Sequence, residues 1–474
     1  MTRDIKADLC IIGAGSGGLS VAAGAAQMGA SVVLVEKGRM GGDCLNTGCV
    51  PSKSLLAAAH VAAAQRGSAP FGIAPHEPEV DFSAVANHVR DVIAGIAPHD
   101  SVERFEGLGC TVIRAAARFV ASDCVAAGDA RIHARRFVVA TGSRAFVPPI
   151  PGLDGVPYLT NENLFELQTA PRHLIVIGGG PIGLEMAQAH RRLGARVSVV
   201  EGLSVLNRDD PDLAAVVRGR LVAEGIDLLE GTKVAAVAKS QEGVAVTIEA
   251  PDGTRVIEGS HLLVAVGRAA NVDDLGLDAA GVTYNLKGIE VDGRLRTSNR
   301  RVFAIGDVAG GYQFTHVAGY HAGIVIRNAL FRLPARADHR AVPWVTYTDP
   351  ELANVGMTAA QAAAAGIEHT VLQAKFADND RARAERATEG LLKAVVDSKG
   401  RVLGAGIAGI HAGELILPWV FAVQGKLKIG DLASVIAPYP TLSEITKRAA
   451  GSWYTPKLFS ARTRAIVRFL ARFG

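Results

Sequence analysis

Cysteine and aromatic residues are scarce in this sequence of 474 residues, which has five cysteines and only 5% phenylalanine, tryptophan and tyrosine. Five cysteines in a chain of this length exclude a small secreted scaffold held together by disulfides. A Gly-X-Y triplet period is also lacking, which excludes a collagen-like chain. Hydrophobic residues make up 49% and charged residues 20%, which excludes a wholly disordered chain. The length predicts two to four domains.

An excess of charge of one sign is lacking as well, since 50 basic and 46 acidic side chains leave a net charge of +4. This balance argues against nucleic acid as a ligand. Charged residues in positions 1–8 stand where a secretory signal would be apolar, so we expect a cytoplasmic protein. Residues 9–35 carry no charge, but six glycines interrupt them, so we expect a strand, a turn, a helix and a strand there rather than a membrane span.

Glycine is abundant, with 53 residues, and marks a first nucleotide-binding pattern. An apolar strand at 9–12 leads into Gly13-x-Gly15-x-x-Gly18, a helix, and a second strand that ends in Glu36. These glycines let a pyrophosphate approach the backbone at the helix N-terminus, and Glu36 can accept a hydrogen bond from a ribose hydroxyl. The pattern predicts a dinucleotide site.

The same pattern recurs as Gly178-x-Gly180-x-x-Gly183, followed by a strand that ends in Glu201. Gly178 and Glu201 are 23 positions apart, as are the first glycine and the acid of the first pattern. Two complete units of equal spacing predict two dinucleotides in one chain.

Three short strands that end in glycine suggest how the two units are connected. One strand runs into Thr141-Gly142, a second into Gly267, and a third into Gly306-Asp307 without a glycine-rich turn of its own. We infer that the second dinucleotide domain is inserted into the first. The predicted domains are 1–150 and 271–342 for the first dinucleotide domain, 151–270 for the second, and 343–474 for a mixed α and β domain.

The most informative stretch is Gly41-Gly42-Asp43-Cys44-Leu-Asn-Thr-Gly48-Cys49-Val-Pro51-Ser-Lys53. Residues five positions apart on a regular helix have Cα atoms about 8.7 Å apart, too far for a disulfide. A redox pair of Cys44 and Cys49 therefore requires a distorted turn, for which Gly48 and Pro51 supply the means. Two free thiols on a loop are the alternative.

These motifs resemble those of the class I pyridine nucleotide-disulfide oxidoreductases, such as dihydrolipoamide dehydrogenase, glutathione reductase and mercuric reductase. The resemblance implies an α/β fold with two Rossmann-like domains, the NAD domain inserted in the FAD domain, and a C-terminal α+β dimerisation domain. It also implies FAD and NAD as cofactors, with NADP possible, and a homodimer. We expect electrons to pass from NAD(P)H through FAD and a Cys44–Cys49 disulfide to a small disulfide such as a lipoyl group.

The resemblance also implies roles for single residues. Cys49 would lie next to the flavin and Cys44 would face the substrate, while Lys53 would pair with Glu185 near the flavin. The first glycine pattern would bind FAD, with Asp307 on its ribityl chain, and the second would bind the nicotinamide nucleotide. The other cofactor contacts that we predict are Gly42, Thr141, Gly142, Gly267 and Thr315. No metal site is predicted.

The sequence departs from the family at Tyr439, where disulfide-reducing members have a histidine that handles the proton of the leaving thiol. A phenol, with a pKa near 10, is a poorer acid–base match at neutral pH than imidazole. Glu444, five residues later, is retained. Mercuric reductases resemble this chain in having a tyrosine at the same position. They also carry a C-terminal cysteine pair, whereas this chain has no cysteine beyond Cys124. A metal-ion reductase and a flavoprotein interaction subunit are therefore the alternative functions.

Residues 456–474 carry five basic residues and no acidic one, interleaved with apolar residues. This pattern predicts an amphipathic helix. We expect it to pack on the protein or to present a solvated face, with contact to an anionic membrane surface or a partner as the alternative.

Overall fold

A computed structural model describes residues 3–473 of the chain. The chain divides into two compact units. The first consists of Met1–Gly202 and Gly231–Asp338, and the second of Leu203–Glu230 and His339–Gly474.

The strands before residue 146 are β1 (Arg3–Ile12), β2 (Val32–Glu36), β3 (Cys110–Arg114), β4 (Ala117–Ala121), β5 (Cys124–Ala127), β6 (Ala130–Val139) and β7 (Ser143–Ala145). The next are β8 (His173–Ile177), β9 (Arg196–Val200), β10 (Asp227–Leu229), β11 (Lys233–Ser240), β12 (Gly243–Ala250), β13 (Gly253–Gly259), β14 (His261–Val264) and β15 (Arg268–Ala270). The last are β16 (Tyr284–Asn285), β17 (Gly288–Ile289), β18 (Val302–Ala304), β19 (Pro343–Thr346), β20 (Glu351–Gly356), β21 (His369–Lys375), β22 (Leu391–Asp397) and β23 (Val402–Gly409).

The α-helices of the first unit are α1 (Ser16–Gln27), α2 (Gly42–Asn46), α3 (Cys49–Arg66), α4 (Phe82–Ile96), α5 (Val102–Gly107), α6 (Pro181–Arg192) and, after α7, α8 (Thr315–Ala329). Those of the second unit are α7 (Pro211–Ala223), α9 (Ala359–Ala364), α10 (Asp380–Ala384), α11 (Ala412–Leu415), α12 (Leu417–Gly425), α13 (Ile429–Ala433), α14 (Glu444–Ser452), α15 (Thr455–Leu458) and α16 (Ala461–Leu470).

The largest sheet, in the first unit, has the strand order β3-β2-β1-β6-β5-β4, with β18 paired to β6. Strands β1, β2, β3, β6 and β18 are parallel neighbours. Alternate residues of β1 are buried on opposite faces, so Leu9 packs with helices α1 and α8 while Cys10 packs on the other side. Strand β18 follows the second glycine pattern in the chain but pairs with β6 of this sheet. This pairing is the one expected if the second dinucleotide domain is inserted into the first.

A second parallel sheet, β9-β8-β14, carries the second glycine pattern, and β11-β12-β13 form an antiparallel sheet in the same unit. Strand β7 pairs with β15 as a two-stranded ribbon. Each glycine-rich turn follows a buried central strand and leads into a helix, as the sequence predicts. The α/β fold with two Rossmann-like parts is confirmed, whereas the exact domain boundaries stay a prediction.

The second unit is built on a five-stranded antiparallel sheet with the order β19-β20-β23-β22-β21. Its core includes Trp419, which is fully buried and donates from Nε1 to Oγ1 of Thr446 at 3.2 Å. The mixed α and β character predicted for 343–474 is confirmed.

Within residues 3–473, every helix is too short or too polar to cross a lipid bilayer.

Candidate active site

The first glycine-rich turn has the backbone that a bound pyrophosphate needs. Gly13 has a φ of +105°, and a Cβ there would lie 2.4 Å from the carbonyl oxygen of Ala140. A Cβ at Gly18 would lie 1.9 Å from the carbonyl oxygen of Gly13. Helix α1 begins after Gly15, which offers no side-chain cap, and its first turn contains no acid. The first-turn N–H groups therefore suit an anion, and the turn fits the pyrophosphate of FAD.

Glu36 closes this turn from the end of β2. Its Oε2 accepts from the N–H of Ala14 at 2.6 Å, and its Oε1 accepts from the N–H of Gly38 at 2.6 Å. The carboxylate is therefore held beside the glycine-rich turn, where a ribose would meet it.

The second turn repeats this geometry. Gly178 has a φ of +114°, and a Cβ at Gly183 would lie 2.0 Å from the carbonyl oxygen of Gly178. Glu201 Oε2 accepts from the N–H of Gly179 at 2.7 Å. Helix α6 begins after Gly180, again without a side-chain cap or an acid in its first turn. The turn fits a second dinucleotide.

Cys44 and Cys49 lie on two different helices rather than on one distorted helix. Helix α2 ends at Asn46, and α3 begins at Cys49. A Cβ at Gly48 would lie 3.0 Å from the carbonyl oxygen of Asp43, so the break leaves little room for a side chain at this position. Pro51 lies in the first turn of α3, where its missing N–H costs no hydrogen bond of that helix. It cannot make the bond back to residue 47 that one continuous helix would require, so its position fits the predicted break.

The two cysteines, both free thiols in this structure, have opposite electrostatic character. A hydrogen bond from the Cys44 thiol lowers the pKa of Cys49, and the hydroxyl of Thr315, 3.5 Å from its Sγ, and the charge of Lys53 lower it further. The same hydrogen bond, together with burial, raises the pKa of Cys44. The pair therefore consists of a Cys49 thiolate and a protonated Cys44.

The redox segment packs directly on the first glycine-rich turn. The N–H of Gly41 donates to the carbonyl oxygen of Ala14 at 2.9 Å. Gly42 has a φ of +61°, and a Cβ there would lie 2.7 Å from Cα of Gly15. The predicted cofactor contact Gly42 thus places the cysteine helix α2 beside the dinucleotide turn.

Lys53 and Glu185 form the ion pair that the resemblance implies. Nζ of Lys53, on α3, lies 2.8 Å from Oε2 of Glu185, on α6. The Glu185 side chain is 6% exposed and that of Lys53 is 37% exposed. The pair links the cysteine-bearing helix to the helix that follows the second glycine-rich turn.

A second polar network, which the sequence analysis missed, centres on Arg268. Its guanidinium donates from Nε to Oγ of Ser143 at 2.7 Å and lies 3.3 Å from Oδ2 of Asp43, next to Cys44. Asn161 Nδ2 donates to the other oxygen of Asp43 at 2.9 Å. The signal available in the sequence was an arginine directly after the strand-ending Gly267. This network fixes the residue before the first redox cysteine.

Asp307 lies at the far side of that network. Burial raises the pKa of its carboxyl group, which accepts a hydrogen bond from Ser143 and lies near Arg268. The predicted contact Thr141 donates its hydroxyl to the carbonyl oxygen of Asn271 at 2.8 Å. Of the other predicted contacts, Gly142 and Gly267 have φ of +68° and +135°.

Tyr439 and Glu444 belong to the second unit. Tyr439 is 70% exposed, and its hydroxyl donates to Oδ2 of Asp380 at 3.1 Å. This hydrogen bond and the charges of Asp380 and Glu444 raise the pKa of Tyr439. Glu444 is the first residue of α14. A tyrosine with a raised pKa is a hydrogen-bond donor at neutral pH rather than a base.

Within residues 3–473, the structure gathers no group of three or more histidine, cysteine, aspartate or glutamate side chains that could hold a metal ion.

Comparisons with known proteins agree with this geometry. Residues 7–322 match the family model of the pyridine nucleotide-disulphide oxidoreductases, and residues 342–450 match the dimerisation domain of the same family. The chain is 37% identical to a mercuric reductase of Streptomyces lividans, over 94% of this chain and 95% of that one. It is 35% identical to a dihydrolipoyl dehydrogenase of Geobacillus stearothermophilus, over 94% and 96% of the two chains.

A similar solved structure is the HOCl-induced flavoprotein disulfide reductase RclA from Escherichia coli, with a TM-score of 0.83 and 28% identity. The match covers 94% of this chain and 99% of that one.

Proposed function

Because the chain belongs to the pyridine nucleotide-disulphide oxidoreductases, we propose that it reduces a small disulfide, such as a lipoyl group, with electrons from NADH. The family resemblance is confirmed, and with it an FAD-dependent enzyme that uses a pyridine nucleotide and carries a dimerisation domain. The observation that carries the proposed substrate class is the hydrogen-bonded contact of Cys44 and Cys49 on a segment that packs on the first dinucleotide turn.

The thiol pair can reduce a disulfide in two exchange steps. The proton of Cys44 passes to Cys49 along the hydrogen bond between them, and the Cys44 thiolate attacks one sulfur of the substrate to form a mixed disulfide. The first product leaves as a thiolate and takes this proton from Cys49. The Cys49 thiolate then attacks the sulfur of Cys44, which closes the Cys44–Cys49 disulfide and releases the second product as a thiolate. The substrate gains two electrons, and the cysteine pair loses them.

Bound FAD supplies the two-electron transfer between NADH and the cysteine pair. Lys53 places a cation beside the cysteines, and Glu185 holds its ammonium group in position. A fixed cation at this point stabilises negative charge that develops near Cys49.

Glu201 supports NADH rather than NADPH as the electron donor. Its carboxylate is held at the second turn by the N–H of Gly179, where it can accept from a 2′-hydroxyl and repels a 2′-phosphate. We expect a lower KM for NADH than for NADPH in steady-state turnover.

The family's dimerisation domain, which matches residues 342–450, supports a homodimer, and we propose that its active sites are shared between the subunits. Helix α12 supports this assembly, because Leu417 and Phe421 are exposed by 52% and 60% and offer apolar surface for a partner. We propose that Tyr439 of one subunit donates a hydrogen bond to the sulfur that leaves at the active site of the other.

The second candidate function, reduction of a metal ion such as Hg(II), is favoured by Tyr439 and by the similarity to mercuric reductases. Cys44 and Cys49 would then bind the soft ion as thiolates. This sequence has no cysteine after Cys124 and so contains no counterpart of the C-terminal cysteine pair of mercuric reductases.

A substrate panel separates the two functions. We expect the holoenzyme to oxidise NADH with lipoamide and other small disulfides, and to lose this turnover in both Cys44→Ser and Cys49→Ser. Efficient turnover with Hg(II) and none with any disulfide would overturn the disulfide proposal in favour of the metal-ion reductase.

Subunit mixing tests the shared site. Inactive Cys44→Ser and Tyr439→Phe subunits should regenerate one complete site per heterodimer, which restores at most about half of the native activity per dimer. A verified subunit exchange without any recovered activity contradicts the shared site.

A further inference from the structure

Helix α16, with the turn that follows it, forms a two-faced segment beyond the part of the chain that matches the dimerisation domain. The family match ends at residue 450, whereas α16 spans Ala461–Leu470. No residue of α16 is buried in the part of the chain that the structure describes. The prediction of an amphipathic helix therefore fits the structure, but packing of this helix on its own chain does not.

The basic face of α16 is one continuous stripe. Arg464, Arg468 and Arg472 follow one another at intervals of four residues, which places them on the same side of a helix. Hydrogen bonds from the N–H groups of residues 471 and 472 to Val467 and Phe469 continue the coil past Leu470. Arg472 therefore lies in the turn that directly continues the helix.

The opposite face is apolar and exposed. Ile466, Phe469, Leu470 and Phe473 recur at intervals of three, four and seven residues, and they are 49%, 55%, 59% and 75% exposed. The rings of Phe469 and Phe473 lie edge to face, with centroids 5.2 Å apart. At about 100° per residue, the centre of this face points away from the arginine stripe.

The start of the helix is joined by hydrogen bonds to the turn that precedes it. Ser460 caps α16 by accepting from the N–H of Thr463 at 3.2 Å, and the Thr463 hydroxyl donates to the carbonyl oxygen of Lys457 at 2.8 Å. Just before the cap, Leu458 and Phe459 are 57% and 69% exposed. These apolar side chains extend the exposed apolar surface beyond α16.

We propose that this segment, 456–474, binds the surface of an anionic lipid bilayer. Five basic residues without an acidic one match a negatively charged surface, and an apolar face opposite an arginine stripe is the arrangement of helices that lie in the headgroup layer. Helix α16 has ten residues and spans about 15 Å, half of a bilayer core, so it lies on the membrane rather than crossing it. Arg462, on the apolar side of the first turn, reaches the headgroups through its long side chain.

Vesicle flotation of the full-length holoenzyme tests this proposal. We expect binding to phosphatidylcholine vesicles that contain phosphatidylglycerol and little binding to phosphatidylcholine alone. Each cation near such a surface contributes about fivefold in partitioning, so Arg464→Gln/Arg468→Gln/Arg472→Gln should weaken binding by ~100-fold. Phe469→Ser/Leu470→Ser should weaken binding at high salt as well, where charge attraction is screened.

A matched control changes net charge equally elsewhere. Lys233→Gln/Lys239→Gln/Lys399→Gln removes three exposed cations outside the segment and should retain vesicle binding and turnover of NADH. Equal loss of binding in this variant and in the arginine variant would overturn the proposal, as would unchanged binding of the arginine variant. The proposal is also overturned if the native protein does not bind anionic vesicles and the apolar variant has a lower oligomer mass in solution. In that case a second copy of the chain covers this face.

Discussion

The two glycine-rich turns have the same backbone but different surroundings. A Cβ added at Gly15 would lie 3.8 Å from Cα of Gly42, whereas one added at Gly180 would meet no described atom within 4 Å. The redox segment thus covers the first turn, while the second turn stays open. The difference suits the two nucleotides that the family uses, because FAD remains bound through turnover and the pyridine nucleotide must enter and leave.

Alanine at Gly42 should have the largest effect on this difference. A left-handed non-glycine residue costs about 1–3 kcal/mol, and the new methyl group would also lie 2.7 Å from Cα of Gly15. We expect Gly42→Ala to weaken FAD binding by ~100-fold or more, as measured by flavin content after purification and by Tm.

Gly180→Ala is the matched variant, since Gly180 has an ordinary φ of −81° and open space around it. It should keep its FAD and its Tm, while the KM for NADH rises about tenfold because the methyl group enters the pyrophosphate path. Equal loss of FAD in both variants would contradict the difference between the two turns.

The Lys53–Glu185 ion pair connects the cysteine-bearing helix α3 to helix α6, which follows the second turn. Substitution of the lysine and of the glutamate should lower the free energy of unfolding by different amounts. Lys53→Met leaves the buried Glu185 carboxylate without its cation and should lower the free energy of unfolding by about 2 kcal/mol, a value reduced because Lys53 is partly exposed. Glu185→Gln removes the charge but keeps an amide oxygen that can accept a hydrogen bond from Lys53, and it should cost less than about 1 kcal/mol. Urea unfolding of the holoenzyme measures both values, and a larger loss in Glu185→Gln would reverse our view of the pair.

Replacement of Glu36 and of Glu201 by glutamine should affect different nucleotides. Glu201→Gln should reduce the preference for NADH over NADPH by about tenfold, because the negative charge that repels a 2′-phosphate is lost. Glu36→Gln should leave that ratio unchanged and act on FAD retention. Ratios of kcat/KM for the two coenzymes in both variants provide the measurement.

The helices after the turns differ at one equivalent buried position, which is Ala25 in α1 and His190 in α6, each 12 residues after the first glycine of its turn. Both ring nitrogens of His190 lack a hydrogen-bond partner within the described residues, and burial lowers its pKa to about 4. The unfolded chain binds this proton below about pH 6.5, whereas the folded chain binds it only near pH 4. Stability is therefore lost as the pH falls from 6.5 toward 4.

We expect His190 to account for about 1 kcal/mol of lost stability between pH 7 and pH 5.5. His190→Leu should flatten this part of the pH dependence of the free energy of unfolding. An unchanged slope in the variant would mean that other groups cause it.

Much of the fold could be predicted from the sequence, because its signals are local. Gly13, Gly18 and Glu36 fall within one strand-turn-helix-strand pattern, and the second glycine pattern repeats their spacing. Lys53 and Glu185 are 132 positions apart, so no local pattern pairs them, and only the family resemblance implied their contact. Physical reasoning on Cys44 and Cys49 required a break between them, but it did not show that two separate helices make that break.

The Arg268 network could not be predicted, because its members come together only in the folded chain. Arg268 lies more than a hundred positions from both Asp43 and Ser143, and no spacing pattern in the sequence pairs it with either residue. Asp380, the partner of Tyr439, was missed for the same reason.

The ribbon of β7 and β15 has a consequence for engineering. Ser143–Ala145 and Arg268–Ala270 run side by side, and the N–H of Phe146 donates to the carbonyl oxygen of Gly267 at 3.0 Å, so the stretch 146–267 starts and finishes at one place. A segment with adjacent ends can be exchanged as a cassette without lengthening the host chain. A transplant of 146–267 from a relative would leave Ser143, Arg268 and Asp43 in the host, whereas Asn161 and Glu185 would be exchanged. A relative that carries asparagine and glutamate at these two positions would keep the contacts to Asp43 and Lys53.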